Sequence, residues 1–344
     1  MGARQILVLC LGLLFSPGCC ERFGAVDVDF DVVEANKTLH LAWSAYCNET
    51  ALQAWDCEWC TGPNSIPNVN LVKYLKNKEA GTQGFVGIDN TRKRVVVAYR
   101  GSKNFENTVQ DAEFWMTRFG PSGVKVDHGF LSAYMSVRNE TLVAVKAALN
   151  TCSSSSDSNK PLSSDCRSVL FTGHSLGAAM ATIGAAEVAA KDDSIFANVE
   201  VNLFTFGSPR VGNKEFVAWA TSNLIHSGTT RKKDVGRVNN STVAALAGSG
   251  SLRRMRREKD IVPSIPPRSI GYRHMPTEVW NRHNDSDNSS NNSYVLCNGS
   301  GEDPNCGDQE ERPFFPLYLL HLSGAEHTRY MGYQGGGCTG GHDN

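Results

Sequence analysis

The chain has 344 residues, 34 Lys and Arg against 35 Asp and Glu, a formal net charge of −1, and 40% hydrophobic residues. That length supports a large buried core, while the charge balance argues against a nucleic-acid-binding surface, which carries a basic surplus. Beyond the N-terminus no apolar run approaches the roughly 20 residues of a membrane span, and no repeat with a period of about 20–50 residues appears, which excludes solenoids and propellers.

Residues 1–20 read as a secretory leader. Arg4 supplies the positive start, Ile6–Phe15 the apolar stretch, and Ser16, Pro17, Gly18, Cys19 and Cys20 the small-residue cleavage region. The remainder, 21–344, is expected to be one domain, because no linker divides it. Leu39, Trp43 and Tyr46 share a helical face. Gly84–Ile88 and Arg94–Tyr99 read as strands, with Asp89-Asn90-Thr91 as the hairpin turn between them. Apolar residues from Leu131 to Leu149 make one helical stripe of about five turns, followed by a Ser-rich loop at 153–164. Then come a buried strand at Ser168–Thr172, an Ala-rich helix at Leu176–Ala190, a strand at Val199–Phe206 and a helix at Glu215–Leu224. A strand at Leu252–Met255 precedes the Pro-rich Ile261–Pro267. Strands alternating with helices predict an α/β fold with a mostly parallel sheet covered on both faces. The basic run Arg253, Arg254, Arg256, Arg257 and Lys259 reads as a solvated strand edge or a processing site.

Eleven cysteines are present, three of them in the leader, so eight remain for the exported chain. An even number in an exported chain points to disulfides. Proximity groups Cys57 with Cys60, Cys152 with Cys166 and Cys297 with Cys306, leaving Cys47 with Cys338, although eight cysteines leave roughly a hundred pairings open. Cys57-Glu58-Trp59-Cys60 has no second Cys/His pair for zinc and no βαβ context for a redox motif, so a structural bridge is the better reading. Nine Asn-x-Ser/Thr sequons, at Asn36, Asn48, Asn139, Asn239, Asn240, Asn284, Asn288, Asn291 and Asn298, fit the same route. Four of them crowd the polar stretch between Trp280 and Cys306, expected to be a surface excursion.

Gly173-His174-Ser175-Leu176-Gly177 lies between a strand and a helix, the setting in which G-x-S-x-G exposes a nucleophilic serine on a tight turn. The helix that follows aims its N-terminal N–H groups at a reacting carbonyl. Serine needs a base, and the base an orienting acid, in the order Ser, Asp or Glu, His. Six histidines follow Ser175: His226, His274, His283, His321, His327 and His342. The acid should follow a strand, which favours Asp260; Asp192, Asp193 and Asp234 sit in polar connections.

Three blocks then carry a resemblance: Gly173–Ala179, Phe206-Gly207-Ser208-Pro209-Arg210-Val211-Gly212-Asn213, and Asp260-Ile261-Val262-Pro263-Ser264-Ile265-Pro266-Pro267. With Tyr99-Arg100-Gly101-Ser102, Gly129-Phe130 and Glu326-His327-Thr328-Arg329-Tyr330, they resemble the fungal-type class 3 lipases, in the family's order from about Cys47 to Cys338. The resemblance implies an α/β-hydrolase fold, Ser175, Asp260 and His327 as triad, Ser102 and the Leu176 N–H as oxyanion donors, and Asp111 supporting the Ser102 side chain. It makes His321 the main rival base. It also implies the bridges Cys47–Cys338, Cys57–Cys60 and Cys297–Cys306, with no counterpart for Cys152–Cys166. The implied reaction is acyl transfer through Ser175, with neither metal nor organic cofactor needed. The implied partner is an ester or lipid substrate, met at a lipid–water interface, on a monomer that is secreted or held in a secretory, lysosomal or vacuolar lumen.

Two departures stand out. Asp127 occupies the place where the family has His before x-Gly-Phe. In the lid segment, 103–110, only Phe105 and Val109 are apolar, at helical spacing, so an opened lid gains little from lipid. The readings are therefore a triacylglycerol lipase first, a phospholipase or soluble-ester (feruloyl-type) esterase second, and a catalytically silent lipid-binding protein third.

Overall fold

The computed structural model describes residues 30–102, 114–153, 166–228, 252–282, 293–308 and 323–338. The leader, the lid residues Phe105 and Val109, Asp111, His321 and the sequons at Asn239, Asn240, Asn284, Asn288 and Asn291 lie outside them.

Strand periodicity builds the two faces of the molecule. In β3 (Arg94–Tyr99), Val95, Val97 and Tyr99 join one apolar cluster, while Val96 and Ala98 join the other. β6 (Ser168–His174) repeats the alternation with Val169 and Phe171 on the first side and Leu170 on the second. The central sheet also contains β1 (Val69–Asn77), β2 (Thr82–Asp89), β7 (Glu200–Phe206), β9 (Leu252–Arg257), β11 (Glu278–Arg282) and β12 (Ser293–Leu296), in the order β1-β2-β3-β6-β7-β9-β11-β12. From β3 to β11 the neighbours run parallel, and the outer pairs β1–β2, β2–β3 and β11–β12 are antiparallel. The hairpin turn is closed by Asp89, whose Oδ1 accepts the N–H groups of Thr91 and Arg92, each at 3.0 Å.

Helices cover both faces. α1 (Val32–Ser44) packs on β6, β3 and β7, and α2 (Glu49–Ala54) lies beside β1. On the opposite face α5 (Leu176–Ala190) is buried along nearly its whole length, and its alanines let it sit close to the sheet. α6 (Lys214–His226) packs against α5.

The single helix expected over Leu131–Leu149 is two, α3 (His128–Met135) and α4 (Arg138–Ser153). Ser136 separates them, its hydroxyl donating to the Ala133 carbonyl and meeting Thr82 Oγ1, both at 2.7 Å; such back-bonding competes with helix continuation. Asp127 caps α3, Oδ1 accepting from the Phe130 N–H at 3.1 Å, while Oδ2 accepts from the Tyr272 hydroxyl at 2.9 Å. It thereby ties β5 (Lys125–Asp127) to β10 (Tyr272–Arg273) in a second sheet, β10-β8-β5-β4, with β4 at Met116–Arg118 and β8 at Gly212–Asn213.

The four arginines of the basic run are neither at a strand edge nor solvated; only Lys259, past the end of the strand, is exposed. β9 lies between β7 and β11, and Arg253, Arg254, Arg256 and Arg257 are all buried. Charge compensation accounts for two of them, Arg254 pairing with Glu278 and Arg257 with Glu326, as neighbouring Arg210 does with Glu302. Arg253 donates to the Leu252 carbonyl and Arg256 to the Ser264 hydroxyl. The loop closed by Cys297–Cys306 delivers Glu302 to this network, so part of the expected surface excursion is a half-buried acidic clamp on buried Arg210. The other disulfides join Cys47 to Cys338, Cys57 to Cys60 and Cys152 to Cys166.

Candidate active site

Parallel strands place their carboxyl ends on one edge, where α/β sheets bind ligands. Ser102 follows β3, Ser175 follows β6, Gly207 follows β7 and Asp260 follows β9, so four candidate positions meet at that edge.

Ser175 adopts φ 61° and ψ −129°. A non-glycine residue with positive φ is strained by about 1–3 kcal/mol, and a strand-to-helix turn that tight presents its side chain above the sheet. The flanking glycines make the turn feasible: a Cβ on Gly177 would collide with the Tyr99 carbonyl, and one on Gly173 with the Gly177 carbonyl. This close packing brings the end of β3 to the elbow. A Cβ on Gly101 would lie 2.9 Å from the Ser175 Cβ, so the residue just before Ser102 packs directly against the elbow. Leu176 is the first residue of α5, so its N–H has no partner within the helix.

His327 ends the short helix α7 (Gly324–His327), which Ser323 caps by accepting the Ala325 N–H at 3.1 Å. Ser323 also bridges to Asp260 in parallel, and its N–H donates to the Lys259 carbonyl at 2.8 Å. His327 and Asp260 are both fully buried, and His327 Nδ1 lies 3.0 Å from each Asp260 carboxylate oxygen. Because a carboxylate only accepts, Nδ1 carries the proton and Nε2 keeps its lone pair for a base's work. Tyr330 donates its hydroxyl to Asp260 Oδ2 at 2.5 Å, and the Val262 N–H donates to Oδ1 at 2.9 Å. Burial alone would raise the Asp260 carboxyl; the adjoining His327 and the hydrogen bonds from His327, Tyr330 and Val262 outweigh it and hold the group below its usual value.

Gly207 supplies the space for the imidazole. It has φ 58°, and a Cβ there would lie 2.8 Å from His327 Cε1. Its block stood out in the sequence, but the reason for the glycine did not. Two further residues at the site, His174 and Tyr46, carried no chemical signal of their own: His174 is set aside as a base by chain order, yet its ring packs on His327 with centroids 4.3 Å apart. Among the described residues, the two metal-like groupings, Cys47/Cys57/Cys338 and Glu278/Cys297/Cys306, are built on cysteines already joined in disulfides.

A parallel sheet carrying a strained serine elbow and a buried Asp–His pair at its carboxyl edge defines an α/β-hydrolase. Within that class the chain belongs to the class 3 lipase family, whose profile matches residues 96–270. The Rhizopus niveus lipase is 26% identical over 294 residues, covering 85% of this chain and 63% of the relative. A secreted mono- and diacylglycerol lipase from Fusarium solani is 30% identical over 250 residues, covering 70% of this chain and 61% of that protein. The chain thus spans less than two thirds of the length of these relatives. Among solved structures, the Rhizomucor miehei lipase–propeptide complex superposes with a TM-score of 0.66 at 26% identity, covering 89% of this chain and 81% of that one.

Proposed function

We propose that this protein is a serine carboxylic-ester hydrolase, foremost a triacylglycerol lipase. The observation that carries the reading is the buried Asp260–His327 pair sharing one sheet edge with the Ser175 elbow. In support, one structurally similar protein is described as a triacylglycerol lipase with a serine-protease triad at its catalytic centre.

In this reading Ser175 Oγ attacks the ester carbonyl while His327 Nε2 takes its proton, and Asp260 stabilises the imidazolium that forms. Ser102 and the Leu176 N–H receive the developing oxyanion; each such donor is worth about 10²–10³ in rate. His327 returns the proton to the leaving alkoxide, and water, activated by the same imidazole, cleaves the acyl-enzyme. The family resemblance assigns Asp111 to support of the Ser102 side chain. The enzyme acts as a monomer at a lipid–water interface, and residues 1–20 direct domain 21–344 into the secretory route. The phospholipase or soluble-ester reading is kept alive by one feature, the sparse apolar content of segment 103–110.

The test is turnover of triolein emulsion, tributyrin, phosphatidylcholine and methyl ferulate by purified protein, beside Ser175→Ala. Hydrolysis of triolein that jumps as substrate passes its solubility limit, with the Ser175→Ala protein at least about 10⁴-fold slower, supports the lipase. A preference for phosphatidylcholine or methyl ferulate moves the substrate assignment, and activity surviving in a folded Ser175→Ala protein removes Ser175 from the mechanism.

A further inference from the structure

Behind the Ser175 elbow a continuous hydrogen-bond path joins two parts of the site that are distant in sequence. The Gly101 N–H donates to the Tyr46 hydroxyl oxygen at 3.1 Å. Tyr46 Oη lies 2.9 Å from His174 Nδ1, and His174 Nε2 lies 2.7 Å from the backbone carbonyl of His327. The proton positions along it are dictated by chemistry. A carbonyl only accepts, so His174 Nε2 carries hydrogen; in a neutral ring Nδ1 then accepts, and the Tyr46 hydroxyl must be its donor. Every polar atom of the path is thereby satisfied by one arrangement.

Neutrality has an independent cause. Burial, with His327 close by, brings His174 down to about 3. A proton on His174 would remove the acceptor that Tyr46 needs. It would also set a positive charge against the ring that becomes an imidazolium during acyl transfer, at a centroid separation of 4.3 Å.

The path has its own buried support. Gln83 Nε2 donates to the carbonyls of Ala45 and Cys47, both at 2.9 Å, gripping the chain on either side of Tyr46. Arg100 Nη1 in turn donates to Gln83 Oε1 at 2.7 Å. Cys47 is tied to Cys338. A side chain at position 101 would collide with the Tyr46 hydroxyl, so the glycine before Ser102 is needed for this contact as well as for the approach to Ser175.

We propose that Tyr46 and His174 are positioning residues that lock the oxyanion end of β3 and the backbone of His327 into one register through a neutral, Nε2–H imidazole. Neither touches substrate; both act through groups that do. The proposal rests on the reading of Ser175, His327 and Ser102 given above. In the ground state the register matters little for binding, but displacement of either partner by a fraction of an ångström weakens attack and oxyanion stabilisation together.

The experiment compares wild type, Tyr46→Phe, His174→Phe, the double variant and Ser175→Ala on monomeric p-nitrophenyl butyrate, with thermal unfolding recorded for each. Each single variant should lose about 10- to 100-fold in kcat with KM within about twofold. The double variant should fall no further than about twofold below the worse single, since both break one path. Imidazole ¹⁵N shifts of the wild-type protein should report His174 as the neutral Nε2–H tautomer at pH 6, a readout that holds even if the phenylalanine variants fold poorly. A folded Tyr46→Phe protein with unchanged kcat, additive losses in the double variant, or a protonated Nδ1 on His174 overturns the proposal. Activity persisting in Ser175→Ala would instead fell the underlying triad, leaving the tautomer result to stand on its own.

Discussion

Glu278→Ala should be among the most damaging single changes away from the candidate active site. Glu278 and Arg254 are 3% and 2% exposed and pair directly on neighbouring strands β11 and β9. Glu278 Oε1 also accepts the Gly307 N–H at 3.0 Å. Among the described residues Arg254 would keep hydrogen bonds to the carbonyls of Gly301 at 3.0 Å and Met275 at 3.4 Å, but lose the counter-charge of Glu278. Removing one member of a buried pair costs about 3–5 kcal/mol, because the remaining charge stays desolvated. For a protein of this size that is a fall in melting temperature of about 4–8 °C. Glu278→Gln keeps an acceptor for Gly307 and a hydrogen bond to Arg254, so it should lose roughly half as much. Arg254→Met/Glu278→Leu, which removes both charges, should recover most of the loss. The measurement is urea unfolding at pH 7 with calorimetry alongside. A loss below about 1 kcal/mol for Glu278→Ala, or a double variant as unstable as the worse single, would refute the view that charge pairing permits this arginine-rich strand in the core.

Three further expectations concern the site and its frame. Gly207→Ala should lower kcat on p-nitrophenyl butyrate by at least about tenfold, because its Cβ would press within 2.8 Å of His327 Cε1 at φ 58°; unchanged kcat would place the working imidazole elsewhere. His174 stays neutral in the fold down to about 3, against a reference value of 6.5. The unfolded chain therefore binds one more proton across that window, and stability falls by about 1.4 kcal/mol for each pH unit below roughly 6.5. His174→Phe should remove that one-proton slope from urea-unfolding free energies measured between pH 7 and pH 4.5, and parallel slopes would contradict it. Burial raises the Asp127 carboxyl, against the hydrogen bonds from Phe130 and Tyr272, so its ionised form costs stability at neutral pH that is not lost below the unfolded carboxylate value. Asp127→Asn, still able to cap α3 and meet Tyr272, should match or exceed wild type at pH 7, whereas Asp127→Ala should lose about 1 kcal/mol or more with the cap; thermal melts of both at pH 7 decide it.

Local sequence was enough for features whose cause is local. Arg94 to Tyr99 reads as a strand because its β-branched and aromatic residues suit a pleated backbone, and Gly173 to Gly177 announces its elbow because a turn that tight tolerates few other residues there. Asp260 and His327 were legible through chain order and through the blocks around them. What remained closed to the sequence was everything decided by who lies across the fold. A row of arginines at 253–257 looks like solvent-facing charge until Glu278 and Glu326, about 20 and 70 residues along the chain, supply counter-charges to Arg254 and Arg257. The apolar stripe from Leu131 to Leu149 gives no sign of the break at Ser136, whose hydroxyl turns back to the Ala133 carbonyl and meets Thr82 on a strand more than 50 residues earlier. Tyr46 reads as one apolar residue on a helix face, yet its hydroxyl joins Gly101 to His174 across 55 and 128 positions of chain. Periodicity and backbone strain act over a few residues and leave their mark in the sequence, whereas compensation of a buried charge or hydroxyl depends on a partner whose distance along the chain is unconstrained, and only the tertiary structure selects it.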